Sequence, residues 1–165
     1  MRVLGVDTSL RSTGIAVLET CGNSIVVVEY GVIKISQAKP VSECLRCLSD
    51  GIGGLIQRTS PQAVAIEGIF YCKNVKTAVA LGEARGVVIS VCASAGLPVF
   101  EYSPKKVKQA AVGYGAAGKD QVMRMVTALL KLPSAPAEDA CDAMAIAICH
   151  LHSNSAHQCL APSRI

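Results

Sequence analysis

At 165 residues, 51% hydrophobic and 17% charged, the chain has the length and core-forming content of one folded domain, which excludes a disordered polyelectrolyte. No apolar run approaches the roughly 18 residues of a membrane span. The first residues lack the order of a secretory leader, so a soluble, intracellular, cytoplasmic protein without membrane contact is expected. The formal charge is +4, yet nine basic residues face only four acidic ones between Ile66 and Lys131, a balance suited to a polyanionic ligand.

The elements follow from periodicity and punctuation. Residues 2–7 predict a short buried strand, residues 14–18 a second and residues 24–35 a third, with Gly22-Asn23 as the turn between the last two. Cys44, Leu45, Leu48, Ile52, Leu55 and Ile56 recur at helical offsets, so residues 40–59 predict an amphipathic helix weakened by Gly51, Gly53 and Gly54. A strand over 63–67 precedes a long helix over 74–95, stopped by Gly96 and Pro98. A fifth strand covers 99–102, and Ser103-Pro104 caps and opens a helix reaching Val112. Residues 119–131 and 138–152 predict two more helices, separated by Pro133 and Pro136.

The fold class is therefore α/β: a five-stranded mixed sheet flanked by helices. The first three strands form an antiparallel meander, and the fourth and fifth run parallel to the first. Residues 1–152 are expected to form one domain and residues 153–165 a poorly ordered tail. The eight cysteines are read as reduced, core-packing residues. Cys44 and Cys47 have half the spacing of a zinc site, but no second pair follows and both fit one helical face. The run from Cys149 to Cys159 holds three histidines and is a better metal candidate than that pair, its plainer reading being a helix end passing into the terminus.

Four carboxylates stand out against this apolar background. Asp7 and Glu67 each end a strand, and if those strands are parallel neighbours both emerge at the carboxyl edge, where ligands bind in open α/β sheets. Asp139 and Asp142 are three apart at the start of the last helix and share a face. Taken singly, each has a plainer role as a turn cap, ion-pair partner or helix-dipole acid. Together they form an oxygen-rich cluster suited to Mg2+, with Mn2+ as a substitute, and two such ions would support in-line attack on a phosphodiester. Lys105, Lys106, Lys108 and Lys119 lie on the helices that follow. A lysine near a scissile phosphate offsets its developing charge, and the others would contact phosphates at a distance. Phe70-Tyr71 between Glu67 and Lys73 could stack on a splayed base or plug the sheet end.

An ordered set of segments carries a resemblance: Gly5-Val6-Asp7, residues 65–74, Leu81-Gly82-Glu83-Ala84-Arg85-Gly86, residues 98–102, Val107-Lys108-Gln109, Val112-Gly113 and residues 139–147. In these the chain resembles the RuvC family of bacterial Holliday-junction resolvases, nucleases with an RNase H-like fold. The resemblance implies a homodimeric, Mg2+-dependent endonuclease that acts on four-way DNA junctions in recombination and repair. It would nick two strands of like polarity and leave ligatable 5′-phosphate and 3′-hydroxyl ends. It further implies Asp7, Glu67, Asp139 and Asp142 as metal-binding and catalytic carboxylates, Lys108 and Lys119 as catalytic lysines, and Phe70 as a junction contact. Further DNA contacts are expected at Lys73, Lys76, Arg85, Lys105 and Lys106, with RuvA and RuvB branch-migration proteins as partners. The turn Asp7-Thr8-Ser9 departs from the family's usual Asp-Pro-Gly. An actin-like ATPase would need a second glycine-rich phosphate loop, which is not found here. An RNA-maturation nuclease would lack the 70–74 loop and the lysine set, and a junction-binding protein without activity would not need all four acids.

Overall fold

The structure, a computed structural model, describes residues 1–68, 74–155 and 163–165. In chain order the elements are β1 (Arg2–Asp7), β2 (Ser12–Cys21), β3 (Ser24–Lys34), α1 (Val41–Thr59), β4 (Ala63–Glu67) and α2 (Val75–Ser94). They continue with β5 (Val99–Tyr102), α3 (Pro104–Val112), α4 (Lys119–Leu129), α5 (Glu138–Ser155) and β6 (Ser163–Arg164). The sheet order is β3-β2-β1-β4-β5-β6. Strands β1, β2 and β3 pair antiparallel, whereas β1 with β4 and β4 with β5 pair parallel. The five-stranded mixed sheet is as the sequence predicts.

Three details differ. β2 begins at Ser12 and runs to Cys21, because its pairing with β3 extends from Ser12 opposite Lys34 to Cys21 opposite Ser24. The last helix continues to Ser155, and Ser163–Arg164 pairs antiparallel with β5, so the described part of the tail adds to the sheet. α2 is, by length and composition, apolar enough to cross a membrane, which a count of unbroken apolar residues does not show because Lys76, Glu83 and Arg85 interrupt it. Its Ala84, Val88 and Cys92 are buried in the core shared with α1 and the sheet.

Alternation along the central strands divides the core. Leu4 and Val6 of β1 and Val64 and Ile66 of β4 face α1 and α2. Val3 and Ala65 face the other layer, built from α3, α4 and α5. On that face Gly5 brings the sheet so close to α5 that a Cβ would lie 2.2 Å from the Ala143 carbonyl oxygen. α5 is buried at every position from Ala143 to Cys149, as a helix apolar on all sides must be. Near its far end His150, 2% exposed, has its Nδ1 2.8 Å from the Tyr102 hydroxyl and its ring centroid 4.7 Å from that of Phe100. Burial pushes His150 down to about 4 and raises the Tyr102 hydroxyl, so the imidazole is neutral.

Helix starts follow local chemistry. Asn74 accepts from the backbone N–H of Lys76 at 2.9 Å and of Thr77 at 3.3 Å, and Ser103 accepts from that of Lys106 at 3.2 Å with Pro104 at the first helical position. The six described cysteines are free thiols, and Cys44, Cys92, Cys141 and Cys149 are buried.

Candidate active site

The parallel register aligns Val6 with Ile66, so the next residues, Asp7 and Glu67, leave the sheet side by side at its carboxyl edge. Asp7 also lies opposite Gly14 on β2. Gly14 is where the first turn of α5 rests: a Cβ there would fall 1.8 Å from the Asp139 carbonyl oxygen. That close approach delivers Asp139 and Asp142 to the two strand ends. Ser12 donates its hydroxyl to Asp139 Oδ2, fixing one of the four carboxylates from β2.

The charges converge. Asp7 is raised from 3.8 to about 7, chiefly by burial and then by Asp142, Glu67 and Asp139, with Lys119 opposing. Glu67 is raised by burial and by Asp142, with Lys108 and Lys119 opposing. Asp142 is raised mainly by burial, while Lys119 and Lys108 pull it down. Lys119, at the start of α4, ion-pairs with Glu138 and lies beside a cleft of about 130 Å3 that Asp142 and Cys141 also line. The expected carboxylates and both expected lysines are therefore electrostatic neighbours. A larger cleft of about 910 Å3 lies at the opposite end of the sheet, under the β2–β3 turn, and contains no carboxylate.

The donor set is that of a hard-cation site: four carboxylates, with no thiolate or imidazole among them. Burial first and neighbouring anions second raise the proton affinity of Asp7, and a bound cation would offset both. Among the described residues no three such ligands are gathered tightly enough to enclose an ion unaided. Mg2+ retains several of its waters when it binds, so it does not need a closed protein cage.

The remaining expected contacts separate. Lys76 and Lys105 are exposed, on the first turns of α2 and α3. Lys106 lies with its Nζ 5.3 Å from the centroid of the Tyr102 ring. Arg85, expected on the DNA surface, turns inward to Glu101 and to the backbone of Glu67, with its side chain 12% exposed. Phe70 and Lys73 lie outside the described residues. Two residues escaped the sequence reading. Ser12 gave no signal, because its partner is 127 residues away. Tyr114 is 64% exposed in the glycine loop between Lys108 and Lys119, and an aromatic residue bracketed by lysines could have marked it.

A mixed sheet with strand-end carboxylates on β1 and β4, and a helix supplying two more, has the layout of the RNase H-like class. Residues 3–150 match the family described as Crossover junction endodeoxyribonuclease RuvC, and the chain belongs to that family. It is 46% identical over 153 residues to the crossover junction endodeoxyribonuclease RuvC of Trichlorobacter lovleyi, covering 93% of this chain and 86% of that one. It is 45% identical to that of Pelotomaculum thermopropionicum, covering 92% and 93%. Among solved structures, Thermus thermophilus RuvC in complex with a Holliday junction substrate superposes with a TM-score of 0.89 at 33% identity, covering 93% of this chain and 94% of that one. The yeast mitochondrial Holliday junction resolvase shares the fold, with a TM-score of 0.70 at 12% identity, covering 93% of this chain and 79% of that one.

Proposed function

We propose that this protein resolves four-way DNA junctions by metal-dependent hydrolysis of one phosphodiester in each of two strands of like polarity. The carrying observation is the convergence of Asp7, Glu67 and Asp142 beside Lys108 and Lys119 in a chain of this family. Asp7, Glu67, Asp139 and Asp142 would hold divalent cations, two per site, with Mg2+ the natural choice and Mn2+ a substitute. When bound, such ions supply Lewis-acid charge and a water acidic enough to attack phosphorus. The chain's own part is placement. The strand ends and α5 hold the carboxylates in register, Ser12 orients Asp139, and Lys108 and Lys119 offset charge that builds on the phosphate. In-line attack with loss of the 3′ oxygen leaves 5′-phosphate and 3′-hydroxyl ends, which a ligase can seal.

Exposed Lys76 and Lys105 would track the phosphate backbone, and Tyr114 offers an exposed ring for an unpaired base at the crossover. Phe70 and Lys73 are assigned to the same interface by the family resemblance. We assign the protein to the cytoplasm, working with RuvA and RuvB on branched chromosomal DNA.

Paired nicks require paired subunits, and α2 supplies a face for them. Val75 is 76% exposed and Val79 56% exposed, whereas Val87 and Val91 pack against the core. A second copy covering the Val75–Val79 side would form a homodimer with two sites. Val79→Glu is expected to shift the protein to monomer in sedimentation and to uncouple the two nicks on a cruciform plasmid. An unchanged dimer would move the interface elsewhere.

The direct test incubates the protein with a synthetic four-way junction and a matching linear duplex, with and without Mg2+. Mg2+-dependent symmetric nicks in the junction alone are expected. Tight binding without nicks, with Mn2+ also tried, would replace the nuclease with a binding protein.

A further inference from the structure

The carboxylate of Glu67 stands on the last residue of β4, so its direction depends on the peptide plane that follows. That plane joins Glu67 to Gly68 and carries one C=O and one N–H. Both are held from different elements. The Gly68 N–H donates to the Tyr102 carbonyl on β5 at 2.9 Å. The Glu67 carbonyl accepts from Arg85 Nη1 on α2 at 2.6 Å. Arg85 Nη2 is in turn ion-paired with Glu101, which lies opposite Ile66 in the β4–β5 register, one step before Glu67 meets Tyr102.

The guanidinium thus spans α2, the end of β4 and β5 with two of its arms. Only 12% of the Arg85 side chain is exposed, so it is committed to these protein partners and withdrawn from the phosphate surface. Arginine suits this place because its planar fork fixes two acceptors at one relative angle, which a lysine ammonium cannot do. A charge this enclosed is tolerated only because its hydrogen bonds are made.

We propose that Arg85 is a positioning residue for cleavage: with the Tyr102 carbonyl, it clamps the Glu67–Gly68 peptide and so aims the Glu67 carboxylate at Asp7 and Asp142. This inference rests on the resolvase reading of the site, but it concerns a residue whose partners here are the Glu67 carbonyl and Glu101. A lost clamp lets the peptide plane rotate and moves the carboxylate while the fold and the DNA surface stay in place.

The test compares wild type, Arg85→Ala, Arg85→Lys and Glu101→Gln. It measures single-turnover junction cleavage, junction affinity across a salt series, and Mn2+ affinity without DNA. For Arg85→Ala, cleavage at saturating protein is expected to fall about 100-fold, the scale of a catalytic group misplaced by about 1 Å. Mn2+ affinity should fall about 10-fold, as when a residue orienting a ligand is lost. Junction affinity and its salt slope should match wild type. Arg85→Lys should recover part of the rate, and guanidinium ion at millimolar levels should partly rescue Arg85→Ala. Weakened binding with a shallower salt slope and an intact cleavage rate would overturn the proposal and make Arg85 a phosphate contact. Should Arg85→Ala fail to fold, Glu101→Gln decides: slower cleavage with unchanged binding supports the clamp, and wild-type cleavage overturns it. Failure of the wild-type protein to nick the junction would sink the resolvase reading. The Mn2+ titration would still test the clamp.

Discussion

Asp7→Asn is expected to abolish junction cleavage, to leave junction binding intact and, in metal-free protein at pH 8, to raise the melting temperature. The reason is the company Asp7 keeps. Burial and the charges of Asp142, Glu67 and Asp139 raise it from 3.8 to about 7. The folded protein therefore binds this proton more tightly than the unfolded chain does. The stability Asp7 contributes is fully present below about pH 4 and is lost as pH rises through about 7. At pH 8 the carboxylate is ionised among like charges, and an amide of the same shape should relieve on the order of 3 kcal/mol. For a chain of this size that is roughly 6–10 °C. Thermal unfolding in a chelator at pH 5 and pH 8 measures it, with a clear gain at pH 8 and a smaller one at pH 5. Mg2+ should then raise the melting temperature of wild type more than that of the variant, since the ion supplies the charge the carboxylates lack. A variant that melts below wild type at pH 8 would show that the Asp7 carboxylate is held by a protein partner and is not destabilised by its acidic neighbours.

Gly14→Ala is the second large effect, and it acts without touching any charge. The added methyl would sit 1.8 Å from the Asp139 carbonyl oxygen and 2.4 Å from its carbon. Both are backbone atoms, so α5 must lift or β2 must bend. Overpacking of this kind costs about 1–3 kcal/mol, occasionally more. Because α5 carries Asp139 and Asp142, a lift of about 1 Å should also lower cleavage about 100-fold. Gly53→Ala on α1 is the control: its methyl would meet only Val91 Cγ1, at 3.9 Å. Replacing a glycine in a helix interior should stabilise the protein by about 0.5–1 kcal/mol. Melting curves and cleavage rates of the two variants, measured side by side, decide the matter. A Gly14→Ala protein with wild-type rate and melting temperature would mean that α5 does not rest on β2 at this point.

These two residues also mark how far the sequence could be read. Asp7 and Glu67 were visible because each interrupts an apolar strand, and Asp139 and Asp142 because they open an apolar helix. Strand order and the parallel pairing followed from the β-β-β-α-β-α-β pattern. Gly14 looked like any glycine at the start of a strand, since its meaning lies in a backbone approach from residue 139. Arg85 was read as a phosphate contact because sequence shows a charge but not the side on which it is spent. The inward turn is set by Glu101, which one-dimensional charge counting treats as an unrelated acid. β6 was missed because a two-residue strand has no periodicity and exists only through its pairing with β5. α2 was misjudged in a different way: its charges are too few to break its apolar character, and only its buried side separates it from a spanning helix.

The central helix α5 has opposite proton preferences at its two ends. Beside its first turn Asp7 keeps a proton up to about pH 7, and Asp142 is shifted the same way. Near its last turns His150 stays neutral down to about pH 4, below its ordinary 6.5. The imidazole's contribution to stability is present above about pH 6.5 and fades as pH falls through about 4, while the contribution of Asp7 fades as pH climbs through about 7. Between those limits the two slopes oppose each other. A metal-free melting profile that stays level from acid to neutral pH would therefore conceal an exchange, one site losing its grip on a proton while the other regains its footing. If the carboxylates hold a cation as proposed, its uptake would involve only the first of them, release protons and strengthen with pH while the scaffold stays equally firm.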